Sequence, residues 1–155
     1  MTARAKSSRS GGVKASPEEP APLILVVDDY SQNREMYAEF LRFSGFRVLE
    51  ASNGHEALEQ AFGSLPDLIV MDLSIPGIDG WEATRRIKND AKTKNVPVVA
   101  VTGVTVAEGM ARAKKVGCDL ILTKPCTPDH LEREIRRILE RSRRHTTAKS
   151  PKRGG

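Results

Sequence analysis

The stretch "LILVVDDYSQN", residues 23–33, sets five apolar side chains in a row and ends them with two adjacent carboxylates, Asp28 and Asp29. A continuous apolar run of this length fits a strand covered on both faces, as in the interior of a parallel sheet. One Asp could serve a turn or cap the next helix while the other is solvated. The residues at the ends of the other apolar runs decide between these readings.

Four more such runs occur: "RVLEA" (47–51), "LIVM" (68–71), "VVAVT" (98–102) and "LILT" (120–123). The second is less apolar and fits a position nearer an edge. Helix-like segments separate them. "SQNREMYAEFLRFSG" opens on Ser31 as a cap, closes at Gly45, and spaces Met36, Phe40, Leu41 and Phe43 at roughly helical intervals. In "NGHEALEQAF", Asn53 precedes Glu56 by three residues, as in a capping box. "GWEATRRIKN" and "AEGMARAKKVG" come next. "TPDHLEREIRRILERS" starts with Thr127 as cap and Pro128 at the first helical position, where a missing N–H costs nothing.

Five alternations of strand and helix predict parallel strands joined by right-handed crossovers, a doubly wound α/β sandwich with helices on both faces. Ligands in such sheets bind beyond the carboxyl ends of the strands. Asp28 and Asp29 follow the first strand, Asp72 the third, Thr102 closes the fourth, and Lys124-Pro125 follows the fifth. A parallel sheet gathers all of them at one edge. Two ionised carboxylates ~4 Å apart repel by about 4 kcal/mol at an effective dielectric near 20. Three of them therefore call for a shared proton or a cation. An all-oxygen donor set selects a hard ion such as Mg²⁺. A hydroxyl and an ammonium beside that ion suit the oxygens of a phosphoryl group, and a carboxylate can itself accept that group.

The totals set the frame. At 155 residues, one domain is expected. Cys118 and Cys126 form no CxxC and no secretory signal precedes them, which favours reduced thiols and a cytoplasmic setting. The scattered His55, His130 and His145 make a poor zinc site. No segment approaches the ~20 apolar residues of a membrane span. The net charge of +5 hides a division. Residues 23–140 carry fifteen basic and eighteen acidic side chains, whereas 141–155 carry six basic and none acidic. Both ends, 1–21 and 141–155, read as disordered basic tails around a folded unit at 22–140.

Four blocks carry a resemblance: "VVDD" (26–29), "MDLSIPGIDG" (71–80), "VVAVTG" (98–103) and "GCDLILTKP" (117–125). In them the chain resembles the receiver domain of two-component response regulators, over about residues 22–140. The resemblance implies a five-stranded parallel sheet of flavodoxin-like order 2-1-3-4-5 and a cis Lys124-Pro125 bond. It implies a stand-alone phosphorylation switch, not a metabolic enzyme, whose output passes through its own surface. Asp72 would accept phosphate from a histidine kinase or histidine phosphotransfer protein. Asp29 and Asp72 would ligate Mg²⁺, with Asp28 acting through water and the Ser74 carbonyl as a further ligand. Thr102 and Lys124 would each hold a phosphoryl oxygen, and a downstream protein would read the result. Two departures stand out. Ile121 replaces the aromatic common three residues before the lysine, so signalling would lean on Thr102 and the loop after it. Val104 offers no group to orient an attacking water, which implies slow self-hydrolysis.

Other side chains read as structural. Asp79-Gly80 is turn and helix-start chemistry, Trp81 partly buried packing, His130 a solvated group, and Cys126 packing or partner contact. Two other classes compete. Nucleotide or flavin binding would need a glycine-rich first loop, but "DDYSQN" is acidic and has no glycine. Nucleic acid could be attracted only through the basic tails, in a salt-sensitive and nonspecific way.

Overall fold

Each apolar run forms a strand in the computed structural model, which describes residues 20–75, 77–103 and 106–154; side chains at 106–108 and 145–154 are outside that description. β1 (Leu23–Val27), β2 (Arg47–Ala51), β3 (Leu68–Asp72), β4 (Val98–Thr102) and β5 (Leu120–Thr123) alternate with α1 (Ser31–Phe43), α2 (Gly54–Ser64), α3 (Gly80–Lys88), α4 (Val106–Val116) and α5 (Pro128–Gly154). All strand pairs are parallel, and the sheet order is β2-β1-β3-β4-β5, as the resemblance implied.

The period-two alternation of strand side chains sorts the core into two layers. Leu25, Val27, Ile69, Met71, Val98 and Ala100 pack beneath α2, α3 and α4. Ile24, Val26, Leu68, Val70, Val99 and Val101 pack beneath α1 and α5. Coverage on both faces explains why β1, β3 and β4 read as unbroken apolar runs.

Helix starts follow local chemistry. Asn53 Oδ1 accepts from Glu56 N, and Glu56 reaches back to the N–H and hydroxyl of Ser52. The reciprocal bond thus falls one residue before the cap. Asp79 Oδ1 accepts from Glu82 N and caps α3, and Thr127 Oγ1 accepts from His130 N at α5. Ser31 is not a cap: Tyr30 holds that position without a capping side chain, and Ser31 is the first helical residue. Asp28 makes the turn instead, with Oδ1 accepting from Tyr30 N at 2.9 Å.

The buried stripe of α1 also differs from expectation. Tyr37, Ala38 and Leu41 face the core, while Met36 and Phe43 are exposed. Composition places the end of the folded unit at 140, but α5 runs on to Gly154. Arg and Glu are strong helix formers, and Arg144 pairs with Glu140 one turn back at 3.5 Å. The expected tail at 1–21 falls almost wholly outside the described residues, as do Pro76 and Val104.

Candidate functional site

β1 and β3 are neighbours, and both end in carboxylates at the same edge. Asp28, Asp29 and Asp72 each present an oxygen there, all within 4.8 Å of one another. Asp28 and Asp72 are buried, and Asp29 is exposed. β4 brings in Thr102, fully buried. β5 brings in Lys124, whose N–H donates to the Thr102 carbonyl at 2.8 Å. Its Nζ lies 3.2 Å from Asp72 Oδ2 and 3.8 Å from Asp28 Oδ2. The Lys124-Pro125 bond is cis.

Backbone donors orient the buried acids. Ser74 N donates to Asp72 Oδ1 at 2.9 Å, as Tyr30 N does to Asp28 Oδ1. Asp72 is therefore held at both oxygens, by Ser74 on one side and Lys124 on the other. Burial pushes the Asp28 pKa up, with the charge of Asp72 adding to it; the Tyr30 N–H and Lys124 pull the other way. Both causes disfavour the ionised form of Asp28 when no cation is beside it. One ammonium against three carboxylates leaves room for a divalent cation. The all-oxygen donors suit a hard one.

Gly80 lets the chain fold tightly against this edge. A Cβ on it would stand 2.5 Å from both Asp72 O and Leu73 Cα. Trp81, next in sequence, is buried, with the Arg112 guanidinium 4.5 Å over its ring. Ile121 is half-buried against the α2–α4 layer. His130 lies on the surface, 3.7 Å from Glu134. Cys126 is buried and Cys118 half-buried; both are free thiols. Burial, first, and the charge of Asp119 push the Cys118 thiol up to about 11.

Every carboxylate in this cluster is readable from the strand ends, but two α1 residues that brace it are not. Arg34 Nη1 donates to the Asp28 carbonyl at 3.0 Å. Tyr37 Oη donates to the Cys126 carbonyl at 2.6 Å, just past the cis bond. A signal exists for the first: an arginine near a helix N-terminus opposes the helix dipole and so needs a partner. Tyr37 carries no signal, because its partner is a backbone atom 89 residues away.

Comparison with known proteins agrees with the geometry. The family model described as "Response regulator receiver domain" matches residues 24–136. The chain is 32% identical over 102 residues to the polar-differentiation response regulator DivK of Brucella anthropi, covering 66% of this chain and 83% of that protein. It is 35% identical over 119 residues to the phosphate regulon transcriptional regulatory protein PhoB of Pseudomonas aeruginosa, covering 77% of this chain and 52% of that protein. The chain thus spans about half the length of the latter. Among solved structures, a response regulator from Chloroflexus aurantiacus superposes with a TM-score of 0.73 at 32% identity, over 77% of this chain and 98% of that one. The chemotaxis protein CheY4 of Vibrio cholerae gives 0.72 at 30% identity, over 76% and 98%.

Proposed function

The chain belongs to the response regulator receiver domain family, and we propose that it is a phosphorylation switch in which Asp72 accepts the phosphoryl group. The observation that carries this reading is the Asp72 carboxylate, buried and fixed at both oxygens beside two further acids and one ammonium. A nucleophile held in one orientation avoids the entropic cost of finding it.

In this reading an Asp72 oxygen attacks the phosphorus of a partner's phosphohistidine. The new O–P bond forms as the P–N bond breaks, and the imidazole nitrogen keeps the electron pair and takes up a proton. Lys124 then exchanges its contact with Asp72 for one with a phosphoryl oxygen, and the Thr102 hydroxyl donates to another. Asp29, Asp72 and the Ser74 carbonyl would hold Mg²⁺, with Asp28 reached through water. Bound there, the ion supplies positive charge for the carboxylates and the incoming phosphate. Phosphate then favours the conformation in which its oxygens reach Thr102 and Lys124.

The donor would be a histidine kinase or a histidine phosphotransfer protein, and a downstream protein would bind the phosphorylated form. We place the receiver unit at 22–140 with basic segments on either side. No helix among the described residues is long and apolar enough to cross a membrane, and we infer a cytoplasmic setting. Incubation with acetyl phosphate and Mg²⁺, followed by intact-mass measurement, tests the reading. One phosphoryl group should appear on the wild type and none on Asp72→Asn. Equal labelling of both would overturn it.

A further inference from the structure

We propose that Arg34 is a positioning residue for the cation-binding carboxylates, holding the Asp28–Asp29 segment in register through the Asp28 carbonyl. The inference rests on the reading that Asp28, Asp29 and Asp72 hold a divalent cation.

Arg34 belongs to the first turn of α1, where the helix dipole disfavours a cation. Its side chain is nonetheless only 16% exposed and is gripped at two points. Nη1 donates to Asp28 O at 3.0 Å, and Nε donates to Glu50 Oε1 at 3.1 Å. Glu50, on β2, is itself held from its other oxygen by Arg42 Nη2 at 3.3 Å. Arg42 Nη2 in turn donates to Val48 O. The guanidinium is therefore the end of a chain running from β2 to the last peptide before Asp29. Asp28 N donates to Ala51 O at 3.1 Å. One peptide group is thus tied to β2 by its N–H and Arg34 fixes the next at its oxygen. Asp29 comes directly after. It is exposed, and its carboxylate lacks the kind of backbone donor that Tyr30 N gives Asp28 among the described residues. The geometry makes the peptide before it the means of aiming that side chain.

The charge of Arg34 and its geometry act in opposite directions. As a bare positive charge near the cluster, it would repel a cation. As a brace, it lowers the cost of organising the site. Removing it therefore has a sign that identifies its role.

Isothermal titration with MgCl₂ alone reads that sign in wild type, Arg34→Gln and Glu50→Gln, with thermal denaturation confirming that each variant folds. Arg34→Gln should weaken Mg²⁺ binding by about five-fold, the scale of the net contribution of one ordinary hydrogen bond. Glu50→Gln, which frees the far end of Arg34, should weaken it less. If Arg34→Gln does not fold, Glu50→Gln decides alone. Unchanged or tighter Mg²⁺ binding in the folded variants would overturn the inference, leaving Arg34 as packing or as a repelling charge. If the wild type itself shows no saturable heat, the cation reading beneath it fails instead.

Discussion

Lys124 Nζ stands 3.2 Å from Asp72 Oδ2, joining the turn after β5 to the end of β3, 52 residues away in sequence. The ammonium occupies the ground state of the site and is within reach of the charge that a phosphoryl group would bring. Lys124→Met should therefore have two opposite effects. Phosphorylation of Asp72 by acetyl phosphate should slow by about 10²-fold, the scale of losing one charge-stabilising donor. Mg²⁺ should bind more tightly, because a competing cation is gone. Unchanged kinetics would place Lys124 outside the reaction.

Asp28 predicts a pH dependence in Mg²⁺-free buffer. Its folded-state pKa is raised, chiefly by burial. The folded state therefore holds its proton over a range in which the unfolded chain has released it. Stability should fall as pH rises from the ordinary carboxylate range through the raised value. Asp28→Asn removes that loss and should be the more stable protein at pH 7 without Mg²⁺. Thermal denaturation from pH 4 to 7 checks both. Adding Mg²⁺ should narrow the gap.

Tyr37 ties α1 to the turn that carries Lys124. Tyr37→Phe leaves the Cys126 carbonyl without this donor and should cost about 1 kcal/mol in urea denaturation. Burial, first, with nearby negative charge, pushes the phenol from 10.0 to about 12. The neutral form is thus favoured in the fold, and wild type should lose stability as pH rises from 10 towards 12. Tyr37→Phe should lose less over the same window. Parallel curves for the two proteins would count against a buried, hydrogen-bonded phenol.

The strands were legible because sheet burial writes itself into local composition, whereas their order came from the family resemblance. An interior strand between two helical layers must be apolar at consecutive positions, as β1, β3 and β4 are. The site was legible for a related reason: polar residues directly after such runs have nowhere to go but the sheet edge. Helix faces were harder to read. Met36, Phe40 and Phe43 sit at helical spacing, yet Tyr37 and Ala38 are the residues that pack. Tyr37 belongs inside because its hydroxyl finds a distant carbonyl, which no local pattern encodes. The course of α5 past 140 was hidden because composition suggests disorder, while helix propensity and an i,i+4 pair favour continuation.

The α1 register gives its own prediction. Phe43 is 92% exposed and Leu41 is 1% exposed. Phe43→Ser should leave stability within about 0.5 kcal/mol, whereas Leu41→Ala should cost about 2–5 kcal/mol. A larger loss for Phe43→Ser than for Leu41→Ala would contradict this register.

At Gly80, any side chain meets the backbone of Asp72 and Leu73 at 2.5 Å. Since no flexible atom is there to yield, the end of β3 must move. Gly80→Ala should lose about 1–3 kcal/mol and slow Asp72 phosphorylation along with it. Full activity in a destabilised Gly80→Ala would show that the strand end tolerates displacement.

The proposed switch requires that Asp72, of the three carboxylates, take the phosphoryl group. Borohydride reduction of the acetyl phosphate-treated protein converts an acyl phosphate to the corresponding alcohol, which peptide mass spectrometry can locate. Homoserine at position 72, dependent on Mg²⁺, is the predicted result. Homoserine at 28 or 29 with Asp72 intact would contradict the account.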